Sequence, residues 1–281
     1  QSQYSGLHPE EIPITSVTNG VHVETWLAAE LKELYARYLG KKWFEQLTDR
    51  EMWENVDQIP DQELWRVHRL LKEKMIIFAR TNLKQQRRRN REPLQNIIEI
   101  EEYLEPDILT IGFARRFATY KRANLLFRTP ERLERLLNNK ERPVRFIFAG
   151  KAHPADTLGQ ELIKKIYDFS LQPGFRGRIL LLENYDIHLA RHLIHGADVW
   201  LNTPRRPMEA SGTSGLKASL NGLINISTLD GWWPEAYNGK NGFVVGSDTA
   251  YLSEEIQDQD DCFSLYSILE EKVIPMYYRR E

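Results

Sequence analysis

Apolar positions follow two different rhythms along the chain. From about residue 25 to 93 they recur at helical spacing. Trp26, Leu27, Leu31, Leu34, Tyr35 and Tyr38 share one stripe; Leu64, Val67, Leu70, Leu71, Met75 and Phe78 share another. Pro60-Asp61 predicts the start of the second long helix, and Arg87-Arg88-Arg89-Asn90-Arg91 its solvated end. From about residue 105 short continuous apolar runs alternate with helical patterns. Strands are expected over 108–113, 144–149, 179–182, 199–202, 223–226 and 243–245. Helices are expected over about 121–138, 157–170, 187–195, 213–221, 250–258 and 261–280. Continuously apolar strands suit a parallel sheet buried on both faces, and the β-α order suits a doubly wound, Rossmann-like α/β fold. The expected organisation is a mainly helical lead-in over 1–94 and a Rossmann-like domain over 95–281, incomplete at its C-terminus.

Such a sheet binds ligands beyond the carboxyl ends of its strands. The loops to inspect are therefore 114–119, 150–156, 183–186 and 203–212. Charge narrows the ligand class. Lys plus Arg number 38 against 40 Asp plus Glu, a net charge of −2, which argues against nucleic-acid binding through a global positive field. No apolar run approaches the roughly 20 residues of a membrane span. Cys262 is the only cysteine, so no internal disulfide forms and a reducing compartment, the cytoplasm, is expected. Residues 1–5 lack an initiator Met and any signal-peptide pattern, and 276–281 stop inside an amphipathic pattern. A piece cut at both ends from a longer protein is the expectation.

The densest constellation is Glu209-Ala210-Ser211-Gly212-Thr213-Ser214-Gly215-Leu216-Lys217, between a strand and a helix. Free backbone N–H groups of a helix start, close backbone approach at glycine and two hydroxyls suit a phosphate. Lys217 follows about one turn later, ~5 Å along the axis, where a Schiff base to pyridoxal phosphate could form. GxxxxGK[ST] is not matched, so the segment is not a Walker A loop. A capped helix start with packing glycines and a solvated lysine explains the same letters. A second cluster, Arg115, Arg116, Lys121 and Arg122, places four cations in eight residues after a strand. Cations at a helix start oppose its dipole, which favours a bound anion; a solvated loop is the plain alternative. Glu209 could accept from sugar hydroxyls or pair with Arg205 or Arg206. Trp232, Trp233 and Tyr237 could stack on sugars, with packing at the sheet edge the favoured reading. His188, His192 and His195 lack the company of a metal site.

With these residues in view, the chain resembles the α-glucan phosphorylases, the glycogen, starch and maltodextrin phosphorylase family, from Thr18 to Gly246. The match is most specific at Glu209 to Lys217. Arg115 to Arg122, Gly150-Lys151-Ala152, Glu183-Asn184-Tyr185 and Leu229-Asp230-Gly231 follow in family order. Arg205-Arg206-Pro207-Met208 and Trp232-Trp233 are closer to the shorter, unregulated bacterial type. The resemblance implies the C-terminal half of a GT-B-type glycosyltransferase that uses inorganic phosphate on α-1,4-glucan to give α-glucose 1-phosphate. It implies Lys217 as the pyridoxal 5'-phosphate lysine, with Gly212, Thr213 and Ser214 around the cofactor phosphate and Tyr185, Arg115 and Trp26 lining its pocket. Arg116 and Lys121 would bind substrate phosphate. Asn19, Glu209 and the stretch Ala210, Ser211 and Gly212 would hold the glucosyl unit. Asp186, Ala118 and Arg115 depart from the family's frequent Arg, His and Lys. A missing N-terminal half would supply further groups, so the isolated chain should keep the lysine but show little or no phosphorolysis. The full-length protein would be a homo-oligomer. Two other readings compete: a nucleotide-sugar glucan synthase of similar architecture, which needs no Schiff-base lysine, and a non-catalytic sugar-phosphate binding module.

Overall fold

The computed structural model describes residues 15–279. Residues 1–5, and Arg280 and Glu281 of the C-terminal pattern, lie outside the described residues. Helices α1 (Val23–Trp26), α2 (Ala29–Tyr38), α3 (Arg50–Glu54), α4 (Asp61–Arg89) and α5 (Leu94–Ile98) open the chain. The second stripe is realised in α4, which buries Val67, Leu71 and Met75 but leaves Leu64 and Leu70 exposed; the first is divided between α1, with Trp26, and α2, which buries Leu31 and Leu34. Pro60 caps α4, where its missing N–H costs no helical bond. Arg88 and Arg89 are exposed at the helix end.

Six strands follow: β1 (Leu109–Ala114), β2 (Val144–Ala149), β3 (Ile179–Leu182), β4 (Val199–Asn202), β5 (Ile224–Thr228) and β6 (Gly242–Val245). They form one parallel sheet in the order β3-β2-β1-β4-β5-β6. Between and after them lie α6 (Pro130–Leu137), α7 (Thr157–Leu171), α8 (Ile187–Gly196), α9 (Ser214–Leu220), α10 (Trp233–Ala236), α11 (Glu254–Ile268) and α12 (Ile274–Tyr278). Alternate strand residues face opposite sides. Phe113, Phe146 and Phe148 pack with Ile166 of α7 and Leu265 and Tyr266 of α11. Ile147, Ala149 and Trp200 pack on the other side with Met75 and Ala79 of α4 and Leu189 and Leu193 of α8. Both faces are covered, which is why the strands read as mostly apolar runs.

Helix α4 is also tied to the strand starts by charge. Lys72, 1% exposed, donates to Asp198 at 2.5 Å and to the Ile108 carbonyl at 2.7 Å. Asp198 in turn accepts from the Thr110 N–H and meets His68 Nε2, both within 2.8 Å. Burial at these sites is tolerable because each charge is paired and hydrogen-bonded.

Three expected helices are corrected. The segment 121–138 is not one helix. Single 3₁₀ turns span Thr119–Lys121 and Leu125–Arg128, and α6 starts only at Pro130. Arg122 sits at φ 47°, ψ 47°, a left-handed conformation that ends a helix. Its guanidinium is drawn to the carbonyls of Thr203 and Pro204 and to Asp258 and Asp261. The expected helices 250–258 and 261–280 are instead one rod. It starts at Glu254, capped by Ser253, and passes through a π turn at Leu269–Val273 into α12. The wider turn changes the hydrogen-bond register just before Pro275, which has no N–H to donate. Among the described residues no helix is long and apolar enough to cross a membrane.

Candidate active site at the sheet switch point

The strand order reverses between β1 and β4, and the loops leaving these two strands diverge there to form a crevice. Arg115 leaves β1 with its N–H still bonded to the Ala149 carbonyl, 3.1 Å. The loop after β4 carries Glu209 into the same place. Arg115 Nη2 donates to Glu209 at 2.6 Å, and Lys121 Nζ to both Glu209 oxygens at 2.8 and 3.1 Å. Glu209 therefore pairs with neither neighbour considered from sequence. Arg205 pairs with Glu254 and Asp258, and Arg206 donates to the Ser247 carbonyl.

One carboxylate serves two buried cations, and the imbalance has consequences. Arg115 is 9% exposed, and its Nε and Nη1 have no hydrogen-bond partner. Burial holds its pKa below the ordinary guanidinium range, and Glu209 opposes this. Burial, and then the Arg115 charge, push the Lys121 ammonium down to about 8. Arg116, next in sequence, is exposed and forms no ion pair among the described residues.

The glycine loop closes the crevice. Gly212 has φ 70°, and a Cβ there would lie 3.6 Å from Arg115 Nη2, the nitrogen that donates to Glu209, so the loop backbone runs beside this ion pair. Gly231, at φ 61°, has no room for a side chain: a Cβ would meet the Ser211 carbonyl at 2.3 Å. Asp230 accepts from the Glu209 N–H at 2.8 Å and holds the loop from below. Ser211 Oγ accepts from the Asn19 N–H at 3.2 Å, which brings Asn19 to the sugar-binding candidates. The Ser214 hydroxyl is spent on Asn202 at 3.0 Å, whereas the Thr213 side chain makes no cap bond. Ala210 is exposed on the loop.

Lys217 lies one turn into α9. Its Nζ is 3.8 Å from the centroid of the Trp26 ring, and burial alone lowers its pKa. Among the described residues no carboxylate pairs with it. Tyr185, half-buried, packs in the same cluster as Trp26 and feels the Arg115 charge. Thus Arg115, Lys121, Glu209, Ser211, Gly212 and Asn19 converge on one side. Lys217 meets Trp26 apart from this set, and Tyr185 lies within electrostatic range of Arg115.

Sequence reasoning missed the supports. Asn221 donates to the Trp26 carbonyl at 2.8 Å and accepts from the Ala28 N–H at 2.8 Å, fixing Trp26 over Lys217. His195 Nε2 lies 3.0 Å from the same carbonyl. Asn221 sits just past the lysine helix, and that position is the only signal that could have found it. Trp232 and Trp233 are buried, and Trp233 packs against edge strand β6 at Gly242, the plain reading of that aromatic group. His188 and His192 pack by Phe78, and no metal-binding cluster exists among the described residues. A cavity of about 630 Å³ lies at the opposite end of the sheet by Trp65, His68 and Asp198; Asn221 reaches its lining, but Lys217, Glu209, Arg115 and Lys121 do not.

His195 supports a stability prediction. Burial pushes its imidazole down from 6.5 to about 4, so the folded state favours the neutral ring. The stability this gives is complete above about pH 6.5 and is lost as pH falls toward about 4, where the unfolded state binds the extra proton. Urea midpoints should therefore decline over that window, by on the order of 2 kcal/mol. A His195→Gln variant should flatten the slope; an unchanged slope would contradict the assignment.

The fold and crevice define a doubly wound α/β protein with two buried cations gathered at the switch point of its sheet. Comparison with known sequences specifies it further. The carbohydrate phosphorylase family model matches residues 2–259. A maltodextrin phosphorylase of Thermococcus litoralis is 48% identical over 98% of the chain, and a glycogen phosphorylase of Aquifex aeolicus 45% identical over 97%. A glycogen phosphorylase of Mycobacterium tuberculosis H37Rv is 40% identical over 99%. The chain belongs to the carbohydrate phosphorylase family. It spans 32%, 39% and 32% of these three relatives, about a third of their length.

Proposed function

We propose that the chain carries the cofactor- and phosphate-binding part of an α-glucan phosphorylase, a glycosyltransferase. The reaction uses inorganic phosphate to split the terminal α-1,4-linked glucose from a glucan. A phosphate oxygen bonds to C1, the C1–O4 bond breaks, O4 takes a proton, and α-glucose 1-phosphate leaves. The observation that carries the reading is the buried Arg115 guanidinium, whose Nε and Nη1 have no partner while its Nη2, bonded to Glu209, lies beside the Gly212 loop. An unpaired buried donor costs about 1–3 kcal/mol, which an anionic ligand would recover. The donor set therefore fits the phosphate of pyridoxal 5'-phosphate, and the unpaired amine of Lys217 fits its covalent attachment.

When bound, that cofactor supplies a phosphate able to exchange a proton with the substrate phosphate. The chain's own residues do the rest. Arg116 and Lys121 hold the substrate phosphate and offset repulsion between the two phosphate groups. Trp26 and Tyr185 exclude water from the cofactor ring. Thr213, with the Gly212 and Ser214 backbone, offers hydrogen-bond donors. Glu209 accepts from glucosyl hydroxyls with Asn19 and the 210–212 stretch beside it. On this reading 1–94 is a helical lead-in, 95–281 is the Rossmann-like domain, and the remaining glucan-binding groups belong to a longer protein. The 281-residue chain then binds cofactor but turns over little or no glucan.

The test is chemical. The chain is incubated with pyridoxal 5'-phosphate, reduced with borohydride and digested, and the pyridoxyl-peptide is sequenced by mass spectrometry. The expected adduct is on Lys217. Its absence both here and in a longer protein containing this chain would overturn the reading.

A further inference from the structure

We propose that the cleft between the 205–208 loop and the start of α11 binds a short segment of neutral carbohydrate chain, as a site separate from the Lys217 crevice. The cleft has a volume of about 500 Å³, within the range of small-molecule sites. Arg206, Pro207 and Met208 form one wall; Asp248, Tyr251 and Gln257 lie on the other.

Gln257 is the first reason to expect a ligand. It is only 5% exposed, and its side-chain amide makes no hydrogen bond within the protein among the described residues. It offers donors and an acceptor together, the complement of a hydroxyl, which also does both.

Arg206 is the second. It donates Nη1 to the Ser247 carbonyl at 3.1 Å, and no carboxylate comes within ion-pair distance among the described residues. Its neighbour Arg205 is pinned by Glu254 and Asp258, each at 2.8 Å. Arg206 Nε and Nη2 thus remain for a ligand, although the charge also favours ionised Asp230 across the loop.

Charge selects an uncharged ligand. Arg205 is neutralised by its two partners, and the lining adds one further cation, Arg206, and one further carboxylate, the exposed Asp248. Neither an anion nor a cation finds an excess of opposite charge. Pro207 and the 53%-exposed Met208 supply an apolar ledge for the C–H face of a sugar ring. Met208 immediately precedes Glu209, so one loop forms both the cleft wall and the reaction site. The cleft's chemistry alone selects a polyol chain; naming α-1,4-glucan rests on the phosphorylase reading.

The test titrates the 281-residue chain with maltoheptaose by calorimetry, without cofactor. Saturable binding is expected, weakened at least tenfold in Gln257→Leu and in Arg206→Met. Inorganic phosphate should not compete. Asp248 and Thr249, both exposed on the cleft lining, keep the test open if Gln257→Leu fails to fold: Asp248→Ala and Thr249→Val should each weaken binding severalfold. The proposal is overturned if the wild-type chain does not bind, if these variants bind as well as wild type, or if phosphate abolishes binding. Pyridoxyl labelling of Lys217 in the same samples reports on the phosphorylase reading separately, because it does not involve the cleft.

Discussion

Replacing Lys217 with arginine is expected to abolish pyridoxyl incorporation at this site while leaving the fold intact. The amine is well placed for a carbonyl. Its pKa is lowered by burial, so a larger share is neutral and nucleophilic at working pH. No carboxylate among the described residues competes for it, and Trp26 lies 3.8 Å away, limiting its orientations. Arginine keeps a cation over the indole but cannot condense with an aldehyde. Packing and chemistry are thereby separated: the thermal midpoint should move by no more than ~2 °C, and the adduct should vanish. In a longer protein that turns over glucan, activity should fall at least about 10³-fold, beyond the loss typical of one electrostatic contact. Full incorporation at another lysine would show that Lys217 is not the anchor.

The second large effect concerns Glu209. Its carboxylate holds two buried cations, at 2.6 Å to Arg115 and 2.8 Å to Lys121. Glu209→Gln removes the charge and keeps the shape. Breaking one side of a buried pair costs about 3–5 kcal/mol. The cost here is capped, because Lys121 already sits at about 8 with Glu209 present and can release its proton when the carboxylate is gone. A loss of about 3 kcal/mol is expected, a fall of roughly 6–12 °C in Tm for a chain of this size. Inorganic phosphate should restore part of it, since the ligand would supply the missing negative charge. Its binding should be tighter in the variant than in wild type below about pH 8, and should take up a proton. Calorimetry in two buffers of different ionisation enthalpy measures this. If phosphate neither stabilises the variant nor binds it more tightly, Arg115 and Lys121 are not an anion site.

The same residues show how far the letters could be read. The strands were legible as short, mostly apolar runs, purest at Ile179–Leu182, where both sheet faces are covered; Arg145 in β2 and Asn225, Ser227 and Thr228 in β5 interrupt theirs. The glycine loop was legible as a helix start, which its letters suit whether or not a ligand binds there. The helix over 121–138 was misread because the letters favour helix, while Arg122 is held left-handed by partners some 80 to 140 positions away. Local propensity is a weak prior against four hydrogen bonds to one guanidinium. The partner of Glu209 was misread for a similar reason. Arg205 and Arg206 are near in sequence, but the switch point brings β1's loop, not its own neighbours, to the carboxylate.

By itself the sequence determined the elements that depend on local pattern: the long helix α4, the parallel strands, the glycine loop and the lysine one turn beyond it. Periodicity and backbone chemistry act within a few residues, so they can be read from a single stretch. Only the tertiary structure decided which charges meet, and so that Arg115 keeps two idle donors and Lys121 shares one carboxylate with it. Trp26 over Lys217, with Asn221 holding it there, and the idle Gln257 amide in a separate cleft were likewise decided by packing. These are properties of elements brought together across 90 to 200 positions, where contact and burial, not pattern, set the energy.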